Sequence, residues 1–115
     1  MLRLDVHHAE AQSMMERIAK AQMVYAMQNG GLYGDIPALV SQNLLPADAQ
    51  SPESTGYRYN ISLSSDKKSY SANAEPAVYG KTGKLSFFME YNEKDKKMRL
   101  QFEDNKGAPL KGKKP

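Results

Sequence analysis

Cysteine and tryptophan are both missing from this chain of 115 residues. Without a thiol there is no disulfide scaffold, zinc ribbon, iron–sulfur site or cysteine nucleophile, while the redox compartment stays open because many exported proteins also lack cysteine. Long apolar runs are missing too. Nothing approaches the roughly 18–20 residues needed to cross a bilayer, and Met1-Leu2-Arg3-Leu4-Asp5 lacks the apolar stretch of a secretory signal, so the chain as written is expected to be soluble. Histidine is limited to the adjacent pair His7-His8. Neighbours on a helix diverge by about 100°, which makes shared metal ligation awkward. With no HExxH, no third histidine and no GxSxG elbow, neither a metalloprotease site nor a Ser-His-Asp arrangement can be assembled. The pair reads as a solvated helix start or a junction left by cloning.

What is present fits one soluble domain. The chain is 40% hydrophobic and 25% charged, within the range of ordinary globular proteins, and its length suits a single core. The net charge of +3 hides an asymmetry. Residues 1–54 carry three bases and six acids (−3), whereas residues 55–115 carry 13 bases and seven acids (+6).

From about residue 8 to 29 there is no Gly or Pro and helix formers dominate. Ala11, Met14, Ile18, Ala21 and Tyr25 fall at 3-4-3-4 spacing and predict a core-facing stripe. A second apolar stripe, Met15, Ala19, Met23, Ala26 and Met27, widens the arc and leaves a narrow polar strip containing Glu16 and Lys20 at i,i+4. The wide arc fits a helix sunk deep in its own core or one covered by a second surface, such as another subunit. Asn29-Gly30-Gly31 ends the helix. Asp35 is suited to cap a short helix over 36–42 with Pro37 in its first turn, and residues 47–56 read as a surface connection.

The period then changes to two. Strands are predicted at 57–63, 69–75, 85–91 and 97–103, separated by turns around residues 64–68, 80–83 and 92–96. The adjacent Phe87-Phe88 implies two partly covered faces or one exposed ring. The fold class is therefore α+β, with a long N-terminal amphipathic helix packed on a four-stranded antiparallel sheet in one domain over residues 1–110. Residues 111–115 form a flexible lysine-rich tail.

Other candidate chemistry is thin. Gly80-Lys81-Thr82-Gly83-Lys84 is not GxxxxGK[ST] and leads into a strand, so it reads as a hairpin turn. Asp95, Glu103, Asp104 and Asn105 are candidate calcium ligands near one end of the last hairpin, but lysines interrupt them and EF-hand spacing is missing. Arg58, Lys67 and Lys68 beside Tyr57, Tyr59 and Tyr70 are the candidate nucleic-acid contacts, although the tyrosines alternate towards the same face as Ile61 and Leu63 and read as core.

Taken together, residues 8–107 resemble the globular domain of type IV pilin-like proteins, a class that includes the pseudopilins of type II secretion. The resemblance rests on the helix Ala9-Glu10-Ala11-Gln12 through Tyr25, on Gly31-Leu32-Tyr33-Gly34-Asp35-Ile36-Pro37 with Asn43-Leu44-Leu45-Pro46, and on a sheet segment. That segment comprises Gly56-Tyr57-Arg58-Tyr59, Tyr70 to Pro76, and Gly80 to Phe88. It implies a non-enzymatic structural subunit without cofactor or metal, anchored in the bacterial inner membrane by a hydrophobic helix. Subunits then assemble helix to helix with like or related pilin subunits into a cell-surface pilus or periplasmic pseudopilus.

On that reading the candidate filament contacts are Met15, Ala19, Met23, Ala26 and Met27. The family's leader, hydrophobic helix and frequent C-terminal cysteine pair are not in this sequence. That implies either a soluble piece cut within the helix, monomeric in solution, or a soluble relative that does not polymerise. The alternative function is a pilin-like minor subunit that binds DNA or surfaces through its lysine-rich half.

Overall fold

The structure is a computed structural model and describes residues 4–92, 94 and 96–111. Helix α1 (Leu4–Gln28) is one uninterrupted element, as its lack of Gly and Pro requires. It begins before the predicted position and ends one residue sooner. Its C-terminus closes where Gly30 and Gly31 adopt positive φ and the Gly31 N–H donates to the Ala26 carbonyl at 2.8 Å. Helix α2 (Ile36–Ser41) starts at Asp35, whose carboxylate accepts from the Ala38 N–H at 2.9 Å.

The stretch 47–56, expected to be a surface connection, contains a 3-10 turn (Ala47–Gln50) and a one-turn helix α3 (Pro52–Thr55). Pro52 at the first helical position is preset for that geometry, and buried Ala49 ties the segment to the core.

Four strands follow: β1 (Tyr57–Leu63), β2 (Tyr70–Pro76), β3 (Leu85–Asn92) and β4 (Lys97–Asp104). They form an antiparallel meander in the order β1-β2-β3-β4. The architecture is thus an N-terminal helix packed on a four-stranded antiparallel sheet. β2 runs one residue later than expected, and β3 and β4 each extend one residue further.

The core lies between α1 and the inner face of the sheet. Ala11 and Ile18 of α1 meet Tyr57, Ala72, Ala74 and Phe87, all fully or almost fully buried. Ala72 and Ala74 are small where α1 packs on β2, which lets the helix approach the sheet. At the far end Tyr33 packs on Tyr70 and Tyr91, with ring centroids 4.9 and 5.5 Å away.

Helix width sets what stays uncovered. A helix is roughly 10 Å across with side chains, and strands stand about 4.8 Å apart, so one helix covers about two strands. α1 packs on β2 and β3, while α2, the 3-10 turn and α3 pack on β1. Among the described residues no element covers β4 to a comparable extent.

The C-terminal segment folds back over the outer face. Ser86 Oγ donates to the Ala108 carbonyl at 2.8 Å and Asn73 Nδ2 to the Leu110 carbonyl at 2.6 Å, with Leu110 buried. Phe88, paired with Asn73 in register, lies on this outer face while Phe87 lies in the core, so both faces at β3 are partly covered. Of the tail expected to be flexible, residues 112–115 lie outside the described residues.

Candidate assembly surface

Two polar devices inside the fold determine which parts of α1 face outward. Gln22 is fully buried on the core side, where its Nε2 donates to the Gly34 carbonyl at 2.6 Å and its Oε1 accepts from the Gly34 N–H at 3.0 Å. The side-chain amide satisfies both backbone groups of a buried loop residue, and so fixes the rotation of α1 against that loop.

The second device corrects the reading of His7-His8 as a solvated start. Both rings are half-buried: His7 Nδ1–H donates to the Thr82 carbonyl at 2.7 Å, and His8 Nε2 accepts from the Lys84 N–H at 2.9 Å and the Leu85 N–H at 3.3 Å. The histidines pin the β2–β3 loop to the start of α1. Their divergence on the helix, which made metal ligation awkward, lets them grip two successive points of one loop.

With α1 held in this rotation, the five candidate filament contacts separate. Met15 is 0% exposed and belongs to the core, so it has no surface to offer. Its place beside the first stripe put it on the inner side of the wide arc. Ala19 and Ala26 are half-buried. Met23 and Met27 are 66% and 84% exposed, with Val24 beside them and Val6 on the outward side near the other end of the helix. An exposed methionine pair one turn apart is a flexible apolar patch of the kind used for adaptable contacts.

A second apolar surface was not foreseen in sequence. Met98, Leu100 and Phe102 pair with Tyr91, Met89 and Phe87, so they lie on the inner, core-side face of the sheet. Yet Met98 is 41% and Phe102 56% exposed, because β4 lies beyond the width that α1 covers. The alternation was legible; the missing cover was not.

The nucleic-acid candidates are spread apart. The Arg58 guanidinium donates to the carbonyls of Pro76 at 3.4 Å and Ala77 at 3.2 Å, on the outer face opposite Glu75. Lys67 and Lys68 lie in the β1–β2 turn, where the Lys67 carbonyl accepts from the Tyr33 N–H at 2.9 Å. Tyr57, Tyr59 and Tyr70 point the other way, into or against the core, and burial pushes all three hydroxyls well above the ordinary tyrosine range. No basic, aromatic platform is formed from these residues.

Nor do the described calcium candidates form a metal-binding group. Both Asp104 carboxylate oxygens accept from the Tyr79 hydroxyl at 2.8 Å and one accepts from the Lys106 N–H, which hold this carboxyl below its usual value. Asp95 lies outside the described residues. Among the described residues no group of three or more His, Asp or Glu is placed to hold a metal ion.

An open groove of about 610 Å³ runs between α1 and the 3-10 turn and α3, lined in part by Glu10, Ser13, Arg17, Asp48 and Tyr59. Its lining contains no histidine and sets apolar Val6, Met14 and Pro46 beside the polar groups. Among the described residues no helix is long and apolar enough to cross a membrane. No protein-family model, curated protein or solved structure matches the chain.

Proposed function

We propose that this chain is the globular domain of a type IV pilin-like structural subunit, a non-enzymatic protein that works by assembling into a pilus or pseudopilus filament. The observation that carries the reading is the exposed apolar end of α1, where Met23 and Met27 stand outward on a helix whose other face is already committed to the sheet. Such a helix has surface left for neighbouring helices. The order of long helix, short capped helix and antiparallel meander is the arrangement the sequence resemblance implies. Assembly would place the domain outside the bacterial cytoplasm, with an anchoring helix preceding α1 holding it in the inner membrane until it joins the filament.

The test is to shear surface fibres from the source cells and probe them for this chain, alongside a Met23→Glu/Met27→Glu variant. The native chain is expected in fibres and the variant excluded from them, with its melting unchanged because exposed substitutions cost within about 0.5 kcal/mol. Equal incorporation of the variant, or a chain found only as free monomer in the cytoplasm, would overturn it.

A further inference from the structure

Among the described residues no strand pairs with the outer side of β4, and Met98 and Phe102 on its inner face are exposed. Unpaired strand edges are templates for pairing, and natural proteins control them by chemistry along the strand. β4 reads Lys97-Met98-Arg99-Leu100-Gln101-Phe102-Glu103-Asp104, basic at its start and acidic at its end. We propose that β4 pairs antiparallel with β4 of a second copy, about a two-fold axis perpendicular to the sheet at Leu100, giving a continuous eight-stranded sheet.

The register follows from the side chains. With the axis at Leu100, Leu100 faces its own copy, Met98 faces Phe102 on the inner side, and Lys97 faces Glu103 on the outer side. Apolar meets apolar and base meets acid at both symmetric ends. Moving the axis to Gln101 sets Met98 against Asp104. A parallel pairing in register sets like charges side by side, which is destabilising in cross-strand pairs. The two-fold also joins the exposed inner strips of both copies into one apolar band between the two α1 helices, covering the surface that one helix is too narrow to reach. The proposed pairing departs from the monomer expected from the sequence. It concerns the unassembled chain: the two-fold turns the two α1 helices antiparallel, unlike subunits packed in a polar filament, and the pairing is read in the purified chain rather than in fibres.

The experiment is sedimentation of the full chain from about 1 μM to about 1 mM, a range that resolves weak association. Lys97→Glu and Glu103→Lys are each measured alone and then mixed. The native chain is expected to dimerise with rising concentration, and each charge reversal to weaken the dimer about tenfold or more, because two opposed pairs change sign at once.

Mixing the two variants restores complementary charge at both ends of the heterodimer and so restores association, which shows that each variant is folded. A native chain that stays monomeric throughout would overturn the proposal. So would a dimer that neither reversal weakens, or a mixture that associates no better than its components.

Discussion

Gln22 gives the sharpest energetic test of how α1 is held. Replacing it with Met keeps nearly the same volume but removes the donor and acceptor that serve the Gly34 carbonyl and N–H, at 2.6 and 3.0 Å. Gly34 is buried, so water cannot take over. Each orphaned buried group costs about 1–3 kcal/mol, and the extra apolar burial of Met offsets about a third of the total, leaving a net loss of about 3 kcal/mol.

That is a large share of a domain stability of about 5–15 kcal/mol. For a urea slope of about 1.5 kcal/mol/M the unfolding midpoint, followed by far-UV circular dichroism, falls by about 2 M. The melting temperature falls by roughly 12 °C on the usual scaling for a chain of this size. A midpoint shift below about 0.3 M would refute the reasoning, since it would mean that Gly34 finds other partners at little cost.

Three further outcomes are expected. Gly83→Ala places a Cβ against the ring of Tyr57, which is almost fully buried and whose hydroxyl donates to the Leu85 carbonyl at 2.7 Å. Overpacking there costs about 1–3 kcal/mol in urea unfolding, and an unchanged midpoint would contradict it. His7→Ala/His8→Ala removes three hydrogen bonds from the β2–β3 loop, so amide exchange at Thr82 to Leu85 should speed up about tenfold or more, whereas a solvated pair would leave it unchanged. Glu75 has its carboxyl raised above the ordinary 4.5 by burial, with Arg58 opposing, and its Oε1 has no hydrogen-bond partner among the described residues. The folded chain therefore holds that proton more tightly than the unfolded one, a stabilisation present below pH 4.5 and lost as pH rises through the raised value. Glu75→Gln should match the native chain in acid and exceed it slightly at pH 7; a native chain more stable at pH 7 would show that the Arg58 attraction dominates.

The fold was legible where periodicity carries the information. Ala11, Met14, Ile18 and Ala21 are buried as their spacing requires, Tyr25 is half-buried on the same stripe, and Asp35 caps α2 through its carboxylate. Spacing gives the direction of a side chain but not the depth of the surface it meets, which is why Met15 was grouped with exposed Met23 and Met27. Gln22 was silent in sequence because its partner is the backbone of a loop residue twelve positions on. His7 and His8 were silent because their partners lie some 75 positions away, in a turn whose approach depends on the finished sheet. The exposed face of β4 depends on a comparison of helix width with sheet width, which no local pattern contains.

The central claim is that the outward end of α1 is an assembly surface, and a cysteine there tests it most directly because the chain has none of its own. Met23→Cys/Met27→Cys, expressed in the source cell and treated with a short thiol cross-linker on intact surface fibres, is predicted to give a ladder of multimers of this chain. Monomer alone, from fibres that contain the chain, would contradict the account.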